Sequence, residues 1–396
     1  MAGEIAIRGG HILTAAAQDY ETGTILIQDG KIAAVGHEGE VEVPSGAEVI
    51  DAQGKVIAPG MIDAHTHLGI SEEGVGWEGR DTNELTDPIT PHLRAADGIN
   101  PEEMGIRDAA THGVTAAVVL PGSGNVIGGL GVTLKTYGTV VDRMTLRNPC
   151  GLKVAFGENP KRVYGDQRKM PSTRMGTAGL LRETLVRAQT YLRKVEQGRE
   201  NPDKLPDRDL RLEAVGLVLR REIPLLAHCH RADDILTALR IAEEFQIEIV
   251  LEHATEAHRL VDILAERKTP CVVGPTFGVR GKVETKEKTF ATPGILARAG
   301  VPVAICSDHG VTPSMYLRLY AALAVGEGMA EADALNAITI WPAQILGVAG
   351  RVGSLEPGKD ADLAIYSGHP LDPRSRPEAV FIEGQRLPPP ATAATA

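Results

Sequence analysis

The 396-residue sequence predicts a (β/α)8 TIM barrel with a small β-sandwich formed by both ends of the chain. Three observations carry this. Apolar runs of strand length alternate with helical stretches of roughly 10 to 15 residues through the middle of the chain, the pattern of parallel strands buried on both faces. The two ends instead alternate polar and apolar residues with period two. The hydrophobic content, 43% over 396 residues, suffices for a large core; a barrel of roughly 250 residues plus a satellite domain fits that length.

The elements follow in order. EIAIRGG, GTILIQDGKIAAVG and AEVI read as hairpin strands bounded by Gly and Asp, and DADLAIYSG and EAVFIEGQRL repeat the style near the other end. The β-sandwich is expected over 1–57 and 350–387, the barrel over 58–349, and a disordered tail, PPPATAATA, over 388–396. In the barrel, VIAPGMIDAH leads to helical PEEMGIRDAATHG and then to VTAAVVL. IPLLAH, ADDILTALRIAEEF, IEIVLEH, AHRLVDILAERK, PCVVG, PGILARAG and VPVAICSD continue the alternation. Strands near Thr139–Val141 and Leu152–Phe156 complete eight. The stretch 157–211 is too long for a simple connection and reads as an insertion with its own helix around 179–196.

Chemistry in such a barrel sits at the C-terminal ends of the strands. Four apolar runs here end in metal-binding residue types: His65 and His67, His228 and His230, His253, then Asp308. One strand-end histidine is usually a satisfied structural residue. Four strands ending this way are hard to explain by packing. Neutral imidazoles with a carboxylate suit one or two divalent ions, zinc first, with manganese, iron or nickel compatible. A metal-bound hydroxide would be the nucleophile, and Asp308 its proton shuttle.

Composition narrows the partners. Net charge is −11, which disfavours a general nucleic-acid or anionic-membrane surface. No apolar run approaches the roughly 20 residues of a membrane span. The four cysteines form no CxxC pair and lie in or beside apolar runs, which reads as reduced thiols in a cytoplasmic protein.

DAHTH, the strand-end His228 and His253, and Asp308 of SDHG resemble, in order, the signature of the amidohydrolase superfamily. RVGSLEPGKDADLAIYS resembles its return segment to the β-sandwich, and ALNAITIWPAQILG the helix before it. Within the superfamily the chain looks like an imidazolonepropionase-like member of an uncharacterised branch, on PGSGNVIGGLG and FGENPKRVYG. The resemblance implies metal ligands at His65, His67, His228, His253 and Asp308. His230 is then a catalytic or substrate-facing residue, able to support an oxyanion, and a swap with His228 stays open. Binuclear relatives bridge two metals with a fourth-strand carboxylated lysine or a glutamate. Glu158 follows the apolar run of GLKVAFGEN and is the preferred bridge; Lys153, at its start, is the alternative.

The implied activity is metal-dependent hydrolysis of a C–N bond in a small amide, cyclic amide or dipeptide-like substrate. Deamination of an aromatic base is the rival, weakened because Arg231 stands where deaminases carry an acid. A non-catalytic scaffold is a third reading, disfavoured by the complete ligand set. Five basic residues between 161 and 174 suggest a grip on a substrate carboxylate, through Arg174 or Arg162. Asn125, among the glycines of PGSGNVIGGLG, is expected to face the substrate. Homo-oligomerisation is an expectation that comes from the resemblance alone.

Overall fold

A computed structural model describes residues 4–388; the tail expected over 388–396 lies, except for Pro388, outside the described residues. Strands β1 (Ile5–Ile12), β2 (Tyr20–Gln28), β3 (Lys31–His37), β4 (Glu48–Asp51) and β5 (Val56–Pro59) join β14 (Leu363–Tyr366), β15 (Pro377–Ile382) and β16 (Gln385–Arg386) in one sheet. Its order is β16-β15-β14-β5-β1-β2-β3, with β4 also on β1. Ile7, Ile25 and Ile27 from one side of the sheet meet Leu363, Ile365 and Phe381 from the other in a single apolar cluster. The sheet therefore folds over its own inner face, as a sandwich does.

The second sheet has the order β6 (Met61–Thr66), β7 (Val114–Val119), β8 (Ile127–Lys135), β9 (Thr145–Ala155), β10 (Leu225–Cys229), β11 (Ile249–His253), β12 (Cys271–Val273) and β13 (Val303–Ile305). It closes where Thr66 pairs with His309, with His67 N–H donating to the His309 carbonyl at 3.0 Å. At the opposite end residues 337 and 338 are wedged between β6 and β13, taking the N–H groups of Ile305 and Ile62. Ile62, Ala64, Val118, Leu226, Val250, Val272, Ala304 and Cys306 fill the interior above Ala343, Leu346 and Val352.

One strand departs from the expected pattern. β8 is antiparallel to both β7 and β9, so a hairpin replaces one strand–helix–strand unit. The expected strand at Thr139–Val141 is instead a bend entering the short helix α2 (Val141–Met144); the eighth strand is IGGLGVTLK. Its glycines mark close approach, not a loop: a side chain at Gly131 would run into Leu120, and Gly129 passes the Leu93 carbonyl.

The helices are α1 (Met104–Thr111), α3 (Glu158–Asp166), α4 (Arg174–Glu200), α5 (Leu210–Leu219), α6 (Ala232–Phe245), α7 (Val261–Arg267), α8 (Ala291–Arg298), α9 (Leu317–Gly326), α10 (Glu331–Asn336) and α11 (Ile340–Ile345). Helices α3, α4 and α5 all lie between β9 and β10. The expected insertion helix is α4, capped by Thr173, whose hydroxyl accepts the Gly176 N–H. None of the helices is long and apolar enough to cross a membrane.

Candidate metal centre

Strand parity builds the centre. Side chains at i and i+2 share a face, so the interior positions Leu226, Val250 and Cys306 are followed by His228, Glu252 and Asp308 on the same side. β6 ends in His65 and His67, and β11 ends in His253. His253 and Asp308 adopt φ of +67° and +55°, the left-handed region that non-glycine residues seldom occupy. The ring of His253 lies 4.6 Å from that of His65 and 4.4 Å from that of His228, centre to centre.

The histidines are fixed from behind. His67 Nδ1–H donates to the Leu120 carbonyl at 2.7 Å, and His253 Nδ1–H to the Gly274 carbonyl at 2.7 Å. A carbonyl only accepts, so Nε2 of each carries the free lone pair. His65 Nδ1 lies 2.7 Å from Glu252 Oε2, a buried carboxyl on β11. Such carboxylate–histidine pairs orient metal ligands. Asp308 Oδ1 then stands 3.3 Å from His67 Nε2 and 3.6 Å from His65 Nε2. Donors bound at zinc distances in a tetrahedron stand roughly 3.3 to 3.6 Å apart.

Asp308 Oδ1 is buried and has no hydrogen-bond partner among the described residues; nor have His228 Nδ1 and Glu284 Oε1. Leaving such a group unsatisfied costs roughly 1–3 kcal/mol each. The two carboxylate oxygens, which can only accept, fit a place made for cations. His65, His253 and Asp308 form one group of converging donors; His228, His230 and Glu284 form another.

Burial dominates the electrostatics. It holds His65, His228 and His253 well below the ordinary histidine value and His230 at about 4, so the imidazoles are neutral and free to ligate. It lifts Glu252 to about 8 and lowers Lys153 to about 8. Burial would raise Asp308 too, but His67, His253 and Lys153 pull it below the usual carboxylate range.

The structure places several of the expected site residues away from the histidines. Lys153 reaches up the barrel, and its Nζ lies 3.2 Å from His65 Nε2. Glu158, the preferred bridge, makes no side-chain hydrogen bond or ion pair among the described residues; it begins α3 after the chain turns away at Gly157. Only its backbone N–H takes part, donating to Glu284 Oε2 at 3.0 Å. Asn125, expected to face the substrate, has its polar atoms taken up by protein partners. It is buried, with its amide spent on the Glu84 carbonyl and Thr90 Oγ1, and its oxygen on Tyr164. Arg174 is committed to Asp234 at 2.9 Å, and Arg162 is exposed on α3. Neither reaches the histidines through a hydrogen bond or ion pair.

His230 does belong to the cluster: Nδ1 lies 2.8 Å from Thr255 Oγ1, and its ring stacks on that of His253. Sequence reasoning missed Glu252, Glu284, Asn159 and Lys282. Glu252 left a signal, a charge inside the apolar run IVLEH. The other three lie in polar segments. Asn159 Nδ2 donates to Ser123 Oγ at 2.8 Å and approaches His228 Nε2 at 3.4 Å, while its Oδ1 accepts from Lys282 Nζ at 2.7 Å.

Comparison with known proteins agrees with this layout. The profile of the Amidohydrolase family matches residues 195–388. A solved structure of an amidohydrolase from Thermotoga maritima MSB8 shares 44% identity and a TM-score of 0.93, covering 97% of this chain and 99% of that one. Amidohydrolase tasK of Hapsidospora irregularis is 32% identical across 91% of this chain, which spans only 39% of that longer protein. Imidazolonepropionase of Geobacillus kaustophilus is 28% identical, covering 88% of this chain and 84% of its own. With a relative matched nearly end to end, and a barrel whose strand ends carry HxH, two further histidines and an aspartate, the chain belongs to the amidohydrolase family.

Proposed function

We propose that this protein is a metal-dependent hydrolase of a C–N bond in a small amide, cyclic amide or dipeptide-like substrate. One observation carries the reading: the unpartnered, buried Oδ1 of Asp308 faces the Nε2 atoms of His65 and His67 at 3.6 and 3.3 Å. The ions would be held by His65, His67, His228, His253 and Asp308. Lys153, against His65, replaces Glu158 as the candidate bridge, in carboxylated form. A divalent ion there would polarise the substrate carbonyl and make water nucleophilic near neutral pH. Asp308 stays ionised, accepts the proton from the attacking water and passes it to the leaving nitrogen. The resemblance to imidazolonepropionases supports a cyclic amide within this class.

Deamination remains the second reading. The residue three beyond His228, Arg231, is half-exposed and paired with Asp233 at 2.8 Å, so that position supplies no acid.

Elemental analysis of protein purified without added metal comes first, followed by a screen of cyclic amides, N-acyl amino acids and dipeptides. One or two ions per chain, with chelator-sensitive hydrolysis, is the expected result. A chain that carries no ion and cannot be reloaded would sink the reading.

A further inference from the structure

We propose that Glu284, with His228 and His230, holds a divalent cation, so that the loop following β12 supplies a metal ligand. The inference rests on the reading of the histidine cluster as a metal centre. It adds a carboxylate absent from the strand-end ligand set, and it fixes a second ion position beside the one at His65, His67 and Asp308.

Glu284 sits in a short turn, Val283–Thr285, where it is 1% exposed while Val283 beside it is 71% exposed. A carboxylate drawn out of water in this way needs partners. Oε2 has one, the Glu158 N–H at 3.0 Å. Oε1 has none, and it stands 4.0 Å from His228 Nε2 and 3.8 Å from His230 Nε2. The three donor atoms lie within 4.8 Å of one another and belong to buried residues. Two imidazoles and a carboxylate form a common ligand set for zinc and related ions.

The surroundings hold this geometry. The backbone at Gly157 (φ +82°) runs so close that a Cβ there would come 2.6 Å from Glu284 Oε2. Thr255 anchors the far side of His230. Lys282 Nζ also lies 4.0 Å from Oε1, but its short bond is to Asn159 and its side chain is 34% exposed, so it sits on the outer edge of the pocket. The assignment makes His230 a ligand instead of an oxyanion donor, because an Nε2 that holds a cation has no proton to give.

The test uses the full chain, stripped with chelator and reloaded with Mn2+ or Zn2+. Ions per chain and the affinity of each are measured, and Mn2+-loaded crystals are examined by anomalous scattering. The expected result is two ions, one of them in bonding contact with a Glu284 oxygen. Glu284→Gln should keep the ion at His65, His67 and Asp308 and weaken the other by about tenfold or more, since even an outer partner is worth that much. The wild-type anomalous map decides the matter if the variant does not fold. A second ion without contact to Glu284, a single ion at the His65 group, or unchanged affinities in Glu284→Gln would overturn the proposal and leave the hydrolase reading standing. A chain that takes up no ion would end both.

Discussion

Asp308 is asked to be both buried and ionised, and its neighbours decide the outcome. Replacing it with Asn removes the proton acceptor and one ligand; kcat should fall by about 10² to 10⁴ or more, read by steady-state kinetics at saturating metal. Glu252→Gln keeps the shape behind His65 but weakens its orientation, and metal affinity should drop by about 10- to 100-fold, measured by chelator competition. The histidines also set a pH dependence in the metal-free protein. The unfolded chain protonates four imidazoles below about pH 6.5, whereas burial keeps those of His65, His228, His230 and His253 neutral in the fold. Stability is therefore lost as pH falls. Glu252, raised to about 8, and Asp63, raised to about 6, act in the opposite sense, because the fold binds their protons first. Each imidazole kept neutral contributes about 1.4 kcal/mol per pH unit below about pH 6.5; His309 adds to this, and the raised carboxyls of Glu252, Asp63, Asp234 and Asp362 offset part of it. Urea unfolding of chelated protein across pH 5 to 7 checks this, and a flat profile would mean that the cluster protonates without opening. The strand-end ligand candidates were legible because each closes an apolar run. Arg174 was not, because its partner Asp234 is 60 residues away and no local pattern announces the pair.

At the scale of elements, β8 shows how a strand can hide in glycine. IGGLGVTLK is buried along its whole length, yet three glycines in five residues read as a loop. They let β8 lie against Leu93, Leu120 and Cys150 without a Cβ. Gly131→Val should cost about 1–3 kcal/mol through overpacking, seen as a lower urea midpoint with an unchanged slope. The parallel strands were legible because burial on both faces leaves continuous Val, Ile, Leu and Ala runs. The hairpin direction of β8 was not, since a buried antiparallel strand has the same composition. Nor was Thr139–Val141 readable as a bend from its β-branched residues alone. The turn at Gly157 has the same character: only the fold reveals that Glu284 presses on it.

At the scale of the molecule, one buried ion network ties the barrel to the folded sheet. Lys135, at the end of β8, reaches Asp362 at 2.5 Å and Asp360 at 3.0 Å, and all three side chains are 2% exposed. Asp360 also takes Arg351 at 2.8 Å. Lys135→Met would leave buried Asp362 without its cation, while Asp360 keeps Arg351 and Lys31; it should cost about 3–5 kcal/mol and split a single unfolding transition into two in calorimetry. Within the barrel, the seam is the most distant pairing. Asp63 receives Ser307 and Ser314 across 244 and 251 residues, while β7 pairs with β8 and β8 with β9, each its immediate successor. Contacts of short separation form first because their loop-closure cost is small. In kinetic terms, the β7–β9 meander is the barrel's natural nucleus and the β6–β13 seam its last event. His65 and His67 stand on one side of that seam and Asp308 on the other. Pulse-labelled hydrogen exchange should therefore find amides of β7 to β9 protected before that of Asp308. The metal centre is then a property of the finished barrel, so an ion added during refolding would report completion of the fold and leave the earlier rates unchanged.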